Sequence, residues 1–318
     1  MTETTAKTIE AFLVIVLSLA VGYAARKRGR LQSGQAVGVS RAGLTWLTPV
    51  VSFLVMWALR PVGWGAAALP MICALCIVLI WLPATLIARR LLSEPREQAA
   101  WIISAMFSNQ GTTFGVFICF ILLGAQGAAL GTIYTLPFLP LLYLLGFFIA
   151  GRYVASSSSP WQTCIATFRW GYSRNPLLGV LLGLLAHVVA PPPAVALRMI
   201  DVLVPLDTAI QLFAIGGNLR LSALGQYVRP IVVMHVVKFV LTPLLGLGLA
   251  ALLGLWGQAD NQLVKIVLIE CSAPVAILSI VVAQCTGLKV DVANSLWVTT
   301  NLFAAAWVPV LLWVARHL

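Results

Sequence analysis

The sequence predicts an all-α membrane protein: ten transmembrane helices arranged as two inverted five-helix repeats, with helices four and nine broken at their centres. Three observations carry this reading. Hydrophobic residues make up 61% of the chain and charged residues 9%, a balance that ordinary soluble domains do not show. Basic residues cluster on alternate connections between apolar runs. Two of those runs also carry polar interruptions where a lipid-embedded helix can least tolerate them.

The apolar runs lie at about 9–25, 37–59, 67–88, 98–123, 129–150, 176–189, 196–219, 230–253, 262–284 and 292–314. Roughly 18 apolar residues suffice to cross about 30 Å of hydrocarbon. The sixth run is short unless its helix begins before Asn175. Connections after odd-numbered runs hold Arg26, Lys27, Arg28, Arg30, Arg89, Arg90, Arg96, Arg152, Arg169, Arg174, Arg220, Arg229 and Lys289. Those after even-numbered runs hold only Arg60, Arg198 and Lys265. The positive-inside rule therefore predicts cytoplasmic odd connections and both termini outside. The net charge of +11 sets topology on this reading and does not imply nucleic acid. Residues 1–10 lack the basic start of a secretory signal, so the first span is expected to be retained.

Cutting the chain at the Ser156–Ser159 run, just before Pro160, leaves five spans on each side. The expected units are a first repeat over 1–155, a cytoplasmic linker over 156–174 and a second repeat over 175–318. An odd number of spans per half forces the halves into opposite orientations. Landmarks recur at a common offset of about 155–165 residues. Arg41 matches Arg198, Pro49 matches Pro205, Arg60 matches Arg220, and Pro83 matches Pro243. The break at Asn109–Gly111 matches Ser272–Pro274.

The fourth-span break reads Ser108-Asn109-Gln110-Gly111-Thr112-Thr113-Phe114-Gly115. Asn109, Gln110, Thr112 and Thr113 offer side-chain oxygens and donors, while Gly111 and Gly115 let the backbone open. An unwound helix exposes N–H groups that suit an anion and carbonyls that suit a cation. The plainer alternative is hydrogen bonding to a neighbouring helix. In the ninth span, Glu270-Cys271-Ser272-Ala273-Pro274 places an ionisable residue amid apolar neighbours, and Pro274 frees a carbonyl one turn earlier. Glu270 would bind Na⁺ with oxygens from Asn109, Ser272 and Gln284, or carry a proton; the structural alternative is an ion pair with Lys238. Lys238, at mid-span in the eighth run, would attract a substrate carboxylate. Asp207, Gln211 and Asn218 share one helical face in span seven, which lines either an aqueous path or a neighbouring helix. The Cys73-x-x-Cys76 spacing lies in an apolar helix without polar company and reads as inert packing.

These residues resemble the auxin efflux carrier family, whose bacterial members include proteins read as malate and malonate permeases. Arg174-Asn175-Pro176-Leu177-Leu178, Phe213-Ala214-Ile215-Gly216-Gly217-Asn218-Leu219, Lys238 through Pro243, Asn109-x-Gly111 and Pro274 through Leu288 carry the likeness over nearly the whole chain. Two departures stand out. Gly115-Val116 replaces the family's proline after the first break, and Glu270 is similar instead to the sodium-binding glutamate of the related bile-acid:sodium symporters. The resemblance implies that spans four and nine cross at the midplane in a core of spans 3–5 and 8–10, beside a panel of spans 1, 2, 6 and 7. It implies a substrate site of Asn109, Gln110, Gly111, Thr112, Thr113, Ser272, Pro274 and Lys238.

The expected function is a secondary active transporter of a small carboxylate, working by alternating access and coupled to Na⁺ or H⁺. The alternative is a sodium-coupled carrier of a larger amphipathic anion; a passive channel or an intramembrane enzyme fits less well. No nucleophile with its base, acidic pair or phosphate loop occurs. No cofactor is expected beyond Na⁺ as a coupling ion. The expected partners are a small organic anion and the bilayer, with a homodimer left open, in the inner membrane if the source is bacterial.

Overall fold

The computed structural model describes residues 3–60, 63–154, 171–218 and 224–318. The Ser156–Ser159 run, Pro160, Arg169 and Arg220 lie outside them. The described residues are helical apart from short connections and one isolated backbone bridge. Helix α1 is Glu3–Lys27. Helix α2 spans 33–57 through a π-turn at Gly43–Leu47, and α3 is Ala68–Leu91. Helix α4 is Pro95–Met106 and α5 is Gly115–Tyr134, followed by α6 over 138–153. Helices α7, Gly171–Val189, and α8, Ala194–Asn218, come next. Helix α9 spans 228–252 through a π-turn at Val237–Leu241. Helices α10, Gln262–Cys271, α11, Leu278–Thr286, and α12, Val290–His317, complete the order. The end of the expected linker, residues 171–174, is thus already helix, which gives the short sixth run its missing turn.

Six helical stretches among the described residues are long and apolar enough to cross a membrane: Gly38–Trp57, Gly65–Leu91, Gly115–Tyr153, Ala194–Asn218, Val228–Leu252 and Val290–His317. Arg174–Val189 is a shorter apolar helix. The count is six against the ten apolar runs: the ninth run is divided by its break, and most of runs four and five falls in the single stretch Gly115–Tyr153. Helices α4, α10 and α11 are each too short to span alone. Helix α5 also reverses on itself. Gly124 adopts φ 61° and ψ −149°, a region only glycine enters freely. A Cβ on Gly127 would collide with the Cys119 carbonyl, whereas eight residues of straight helix separate by about 12 Å.

Helix α1 packs on α8, and α2 packs on α7 and α8, making one group of four. Glycines let these backbones touch, the usual device where no hydrophobic force drives helices together. A Cβ on Gly179 or Gly183 of α7 would strike the carbonyls of Pro49 and Phe53 in α2. On the other pair, Gly22 meets Phe213 and Gly216 meets Leu19. Pro49 cannot donate to the Thr45 carbonyl one turn back. That carbonyl instead accepts the Asn175 side-chain amide at 3.0 Å, so the freed acceptor is satisfied within the pair. The remaining helices pack around α4, α5 and α10. Leu82, Leu185, Leu244 and Trp313 point outward and are well exposed, an apolar exterior suited to lipid.

Substituting Gly183→Ala should destabilise the protein by about 1–3 kcal/mol through overpacking. Gly248→Ala, with nothing within 4 Å of its Cβ, should be neutral or stabilising by up to about 1 kcal/mol. Thermal unfolding in detergent ranks the two; equal melting temperatures would contradict the close α2–α7 approach.

Candidate substrate site

Residues 107–114 and 272–277 leave the helical conformation as their Asn, Gly and Pro content predicts. In hydrocarbon such backbone must find partners, and the two segments find each other. Ser108 and Val275 form an isolated antiparallel bridge. The Asn109 N–H donates to the Pro274 carbonyl at 2.7 Å, and the Ala276 N–H to the Phe107 carbonyl at 3.1 Å. Helix α12 completes the pairing. The Thr300 hydroxyl accepts from the Val275 N–H at 3.2 Å, and the Asn301 amide donates to the Val275 carbonyl at 3.1 Å.

Beside this crossing lies a cavity of about 170 Å³. Ser108, Asn109, Gln110, Gly111, Thr112 and Thr113 line it from the first break. Ala276, Ile277 and Leu278 line it from the second, and α2, α7 and α8 close it with Ser40, Thr48, Ser52, Pro176 and Gln211. Leu136, Phe138, Leu139 and Tyr143 supply an apolar wall. Among the described residues, the lining contains hydroxyls and amides and no Lys, Arg or His. Two helix starts converge on it. The N–H groups of Thr112 and Thr113, ahead of α5, and of Ile277 and Leu278, opening α11, take no acceptor among the described residues. Such groups carry partial positive charge.

Five of the proposed substrate residues, Asn109 through Thr113, therefore share one cavity. Ser272 and Pro274 do not line it. They are buried in the second break, where Pro274 holds Asn109 in place. Lys238 does not line it either. It is fully buried, and its ammonium donates to the Ala105 carbonyl at 2.7 Å and the Ser108 hydroxyl at 2.8 Å. A cation thus sits at the C-terminal end of α4, where carbonyls concentrate negative charge. Lys238 is placed to hold the crossing from behind, outside the cavity where it was expected to meet substrate charge.

Of the four residues expected to surround a cation, Asn109, Glu270 and Ser272 lie about the crossing, but no hydrogen bond joins the side chains of the four among the described residues. Glu270 is fully buried and makes no ion pair with Lys238; its Oε1 accepts the Cys119 thiol at 3.7 Å, while Oε2 has no partner. The carboxyl lies against Gly115 and Gly131, and a Cβ on either glycine would strike it. Asn109 turns instead to the Asn301 oxygen at 3.4 Å, and Gln284 is exposed. Among the described residues, no group of three or more His, Cys, Asp or Glu side chains could hold a metal.

One buried carboxylate bears on the cavity more directly than Glu270. Asp207 in α8 accepts the Thr48 hydroxyl at 3.0 Å on each oxygen and the Thr112 hydroxyl at 2.7 Å. Its neighbour Thr208 donates to the Thr112 carbonyl at 2.7 Å, and Gln211 accepts from Ser40 at 2.7 Å. The polar stripe of α8 therefore faces α2 and the first break. Asn218, at its far end, bonds only the Ala214 carbonyl of its own helix at 2.9 Å. The i, i+4 spacing of Asp207 and Gln211 was the available signal, but nothing local marks Thr112 as the partner.

A family model described as membrane transport protein, that of the auxin efflux carriers, matches residues 156–314, half of the chain. The chain belongs to that family. This member is a multi-pass membrane protein, and its lineage and apolar helices support a membrane transporter. Among curated proteins nothing matches it.

Replacing Lys238 by Met should cost about 1–3 kcal/mol by leaving the buried Ala105 carbonyl and Ser108 hydroxyl short of a donor. The melting temperature in detergent measures this. A Lys238→Met protein as stable as the parent would show that the ammonium does not hold the crossing.

Proposed function

We propose that this protein is a secondary active transporter of a small organic carboxylate. The chain folds as ten spans in two inverted repeats, and α3–α6 and α9–α12 move as a core against the panel of α1, α2, α7 and α8. The observation that carries this reading is the cavity itself. It lies between the panel and the crossing, and it is lined at two helix starts by residues whose N–H groups take no acceptor among the described residues. Paired broken segments of this kind are where secondary transporters bind their substrates. With no cationic side chain in the lining, the carboxylate is bound by backbone N–H groups and by Asn109, Gln110 and Thr113. A volume of about 170 Å³ suits a few-carbon acid better than a sterol-sized one.

A Na⁺ or H⁺ gradient drives the cycle. Glu270 and Asp207 are both fully buried, and neither forms an ion pair. A carboxyl group so placed gains by taking up a cation.

Proteoliposomes loaded at one pH and diluted into another test the reading. Uptake of labelled malate, used as a small dicarboxylate, should saturate and respond to an imposed H⁺ or Na⁺ gradient. Asn109→Ala and Gln110→Ala should each lower that uptake at least tenfold, about 1.4 kcal/mol. Non-saturating uptake indifferent to both gradients, or single-channel currents, would contradict a carrier.

A further inference from the structure

Among the described residues, side-chain hydrogen bonds tie the panel to the core at Gln126 and at Thr112. Gln126 of α5 is joined to the Arg60 backbone beyond α2, at 2.8 and 3.3 Å. The tie inside the protein is at Thr112, whose hydroxyl donates to Asp207 and whose carbonyl accepts from Thr208, each at 2.7 Å. Asp207 is bonded from both sides of this boundary, by Thr48 within the panel and by Thr112 within the core. Glu270 has no such position. Its neighbours Gly115, Cys119 and Gly131 all belong to the core, so a charge there leaves the boundary unchanged.

We propose that Asp207 is the proton site through which coupling acts, holding the first break against the panel while ionised and releasing it when protonated. The proposal rests on the reading that core and panel move relative to one another. Hydrogen bonds to a carboxylate are roughly twice as strong as those between neutral groups. A proton on Asp207 therefore weakens the Thr112 and Thr48 bonds together, although the side chains keep their shape. Among the described residues, the side chains bonded to the carboxyl are all uncharged. From α2 the carboxyl faces Thr48, from the first break Thr112, and along its own helix Gln211. Helix α1 packs on α8, but its Arg26 reaches the Gly217 carbonyl, ten residues along. The titratable groups of α5 are turned elsewhere, Cys119 to Glu270 and Tyr134 to Cys271. Protons have a route, because Thr48, Thr112 and Gln211 all line the cavity.

The arrangement has a consequence for transport. Substrate that binds Thr112 or its N–H competes for the atoms that latch the core, so occupancy and protonation act on one contact. Gln211 and Ser40, bonded at 2.7 Å, remain together within the panel throughout.

Spin labels at Arg28→Cys and Arg90→Cys report the panel and the core from exposed positions at the ends of α1 and α3. Cys164→Ser and Cys285→Ser supply a background without competing reactive thiols. Electron–electron distance distributions of the parent should shift between about pH 8 and about pH 5, with a population ratio changing about tenfold. Asp207→Asn should show the acid distribution at both values, and Asp207→Glu should retain the response. If Asp207→Asn does not purify as a monodisperse protein, Thr112→Val takes its place and should give the acid distribution throughout. An Asp207→Asn or Thr112→Val protein that follows pH as the parent does would overturn the latch while leaving alternating access intact. A parent whose distances stay fixed at every pH, with and without malate, would overturn both.

Discussion

Everything at the centre of this protein follows from one constraint: hydrocarbon offers no partner to a backbone N–H or C=O. Two helices that stop at mid-depth must have their freed groups satisfied by protein. Here each break supplies the other, through the Asn109–Pro274 and Phe107–Ala276 bonds, with Thr300 and Asn301 of α12 taking what remains. Because the pairing consumes the groups nearest the bridge, the ones left over lie a few residues further on. Those are the N–H groups before α5 and at the start of α11, on residues that line the cavity. The candidate site is in this sense the remainder of a backbone account that the crossing nearly closes.

The same constraint explains where the charges sit. Lys238 spends its ammonium on the carbonyl end of α4 and on Ser108, at the crossing itself. Glu270 fills the space left by two glycines behind the first break, sealed within the core. Asp207 alone of these three is bonded to both α2 and the first break, which is why the proposed latch is placed there. The polar groups that line the cavity are amides and hydroxyls. On the proposed reading, such a site would bind an anion without fixing a counter-charge.

Much of this was legible in the sequence, and the parts that were not share a cause. Helix-breaking Asn, Gly and Pro act through their own backbone, so both interruptions could be located to within a few residues. Apolar run lengths marked the membrane helices, yet they suggested ten spans where the stretches long and apolar enough to cross number six among the described residues. The reversal at Gly124 hid inside a run of apolar residues because a glycine turn leaves no polar trace. Partner choice was harder still. Glu270 and Lys238 looked like candidates for each other, but reach and packing decided otherwise. The Thr112–Asp207 contact bridges 95 positions of sequence, and a threonine gives no sign of which carboxylate it will meet. Residue types announced that a break or a buried charge existed; only the packed helices determined what each one faced.

The central claim is that the two breaks lie against each other as extended backbone, and one cross-link tests it. Directly opposed residues of an antiparallel pair stand about 4.5–5.5 Å apart at Cα, within the range a disulfide spans. Ser108→Cys with Val275→Cys, oxidised in native membranes, should yield a 108–275 disulfide-linked peptide pair by mass spectrometry, absent from either single variant. A folded double variant that never forms this link would contradict the crossing, and with it the site built upon it.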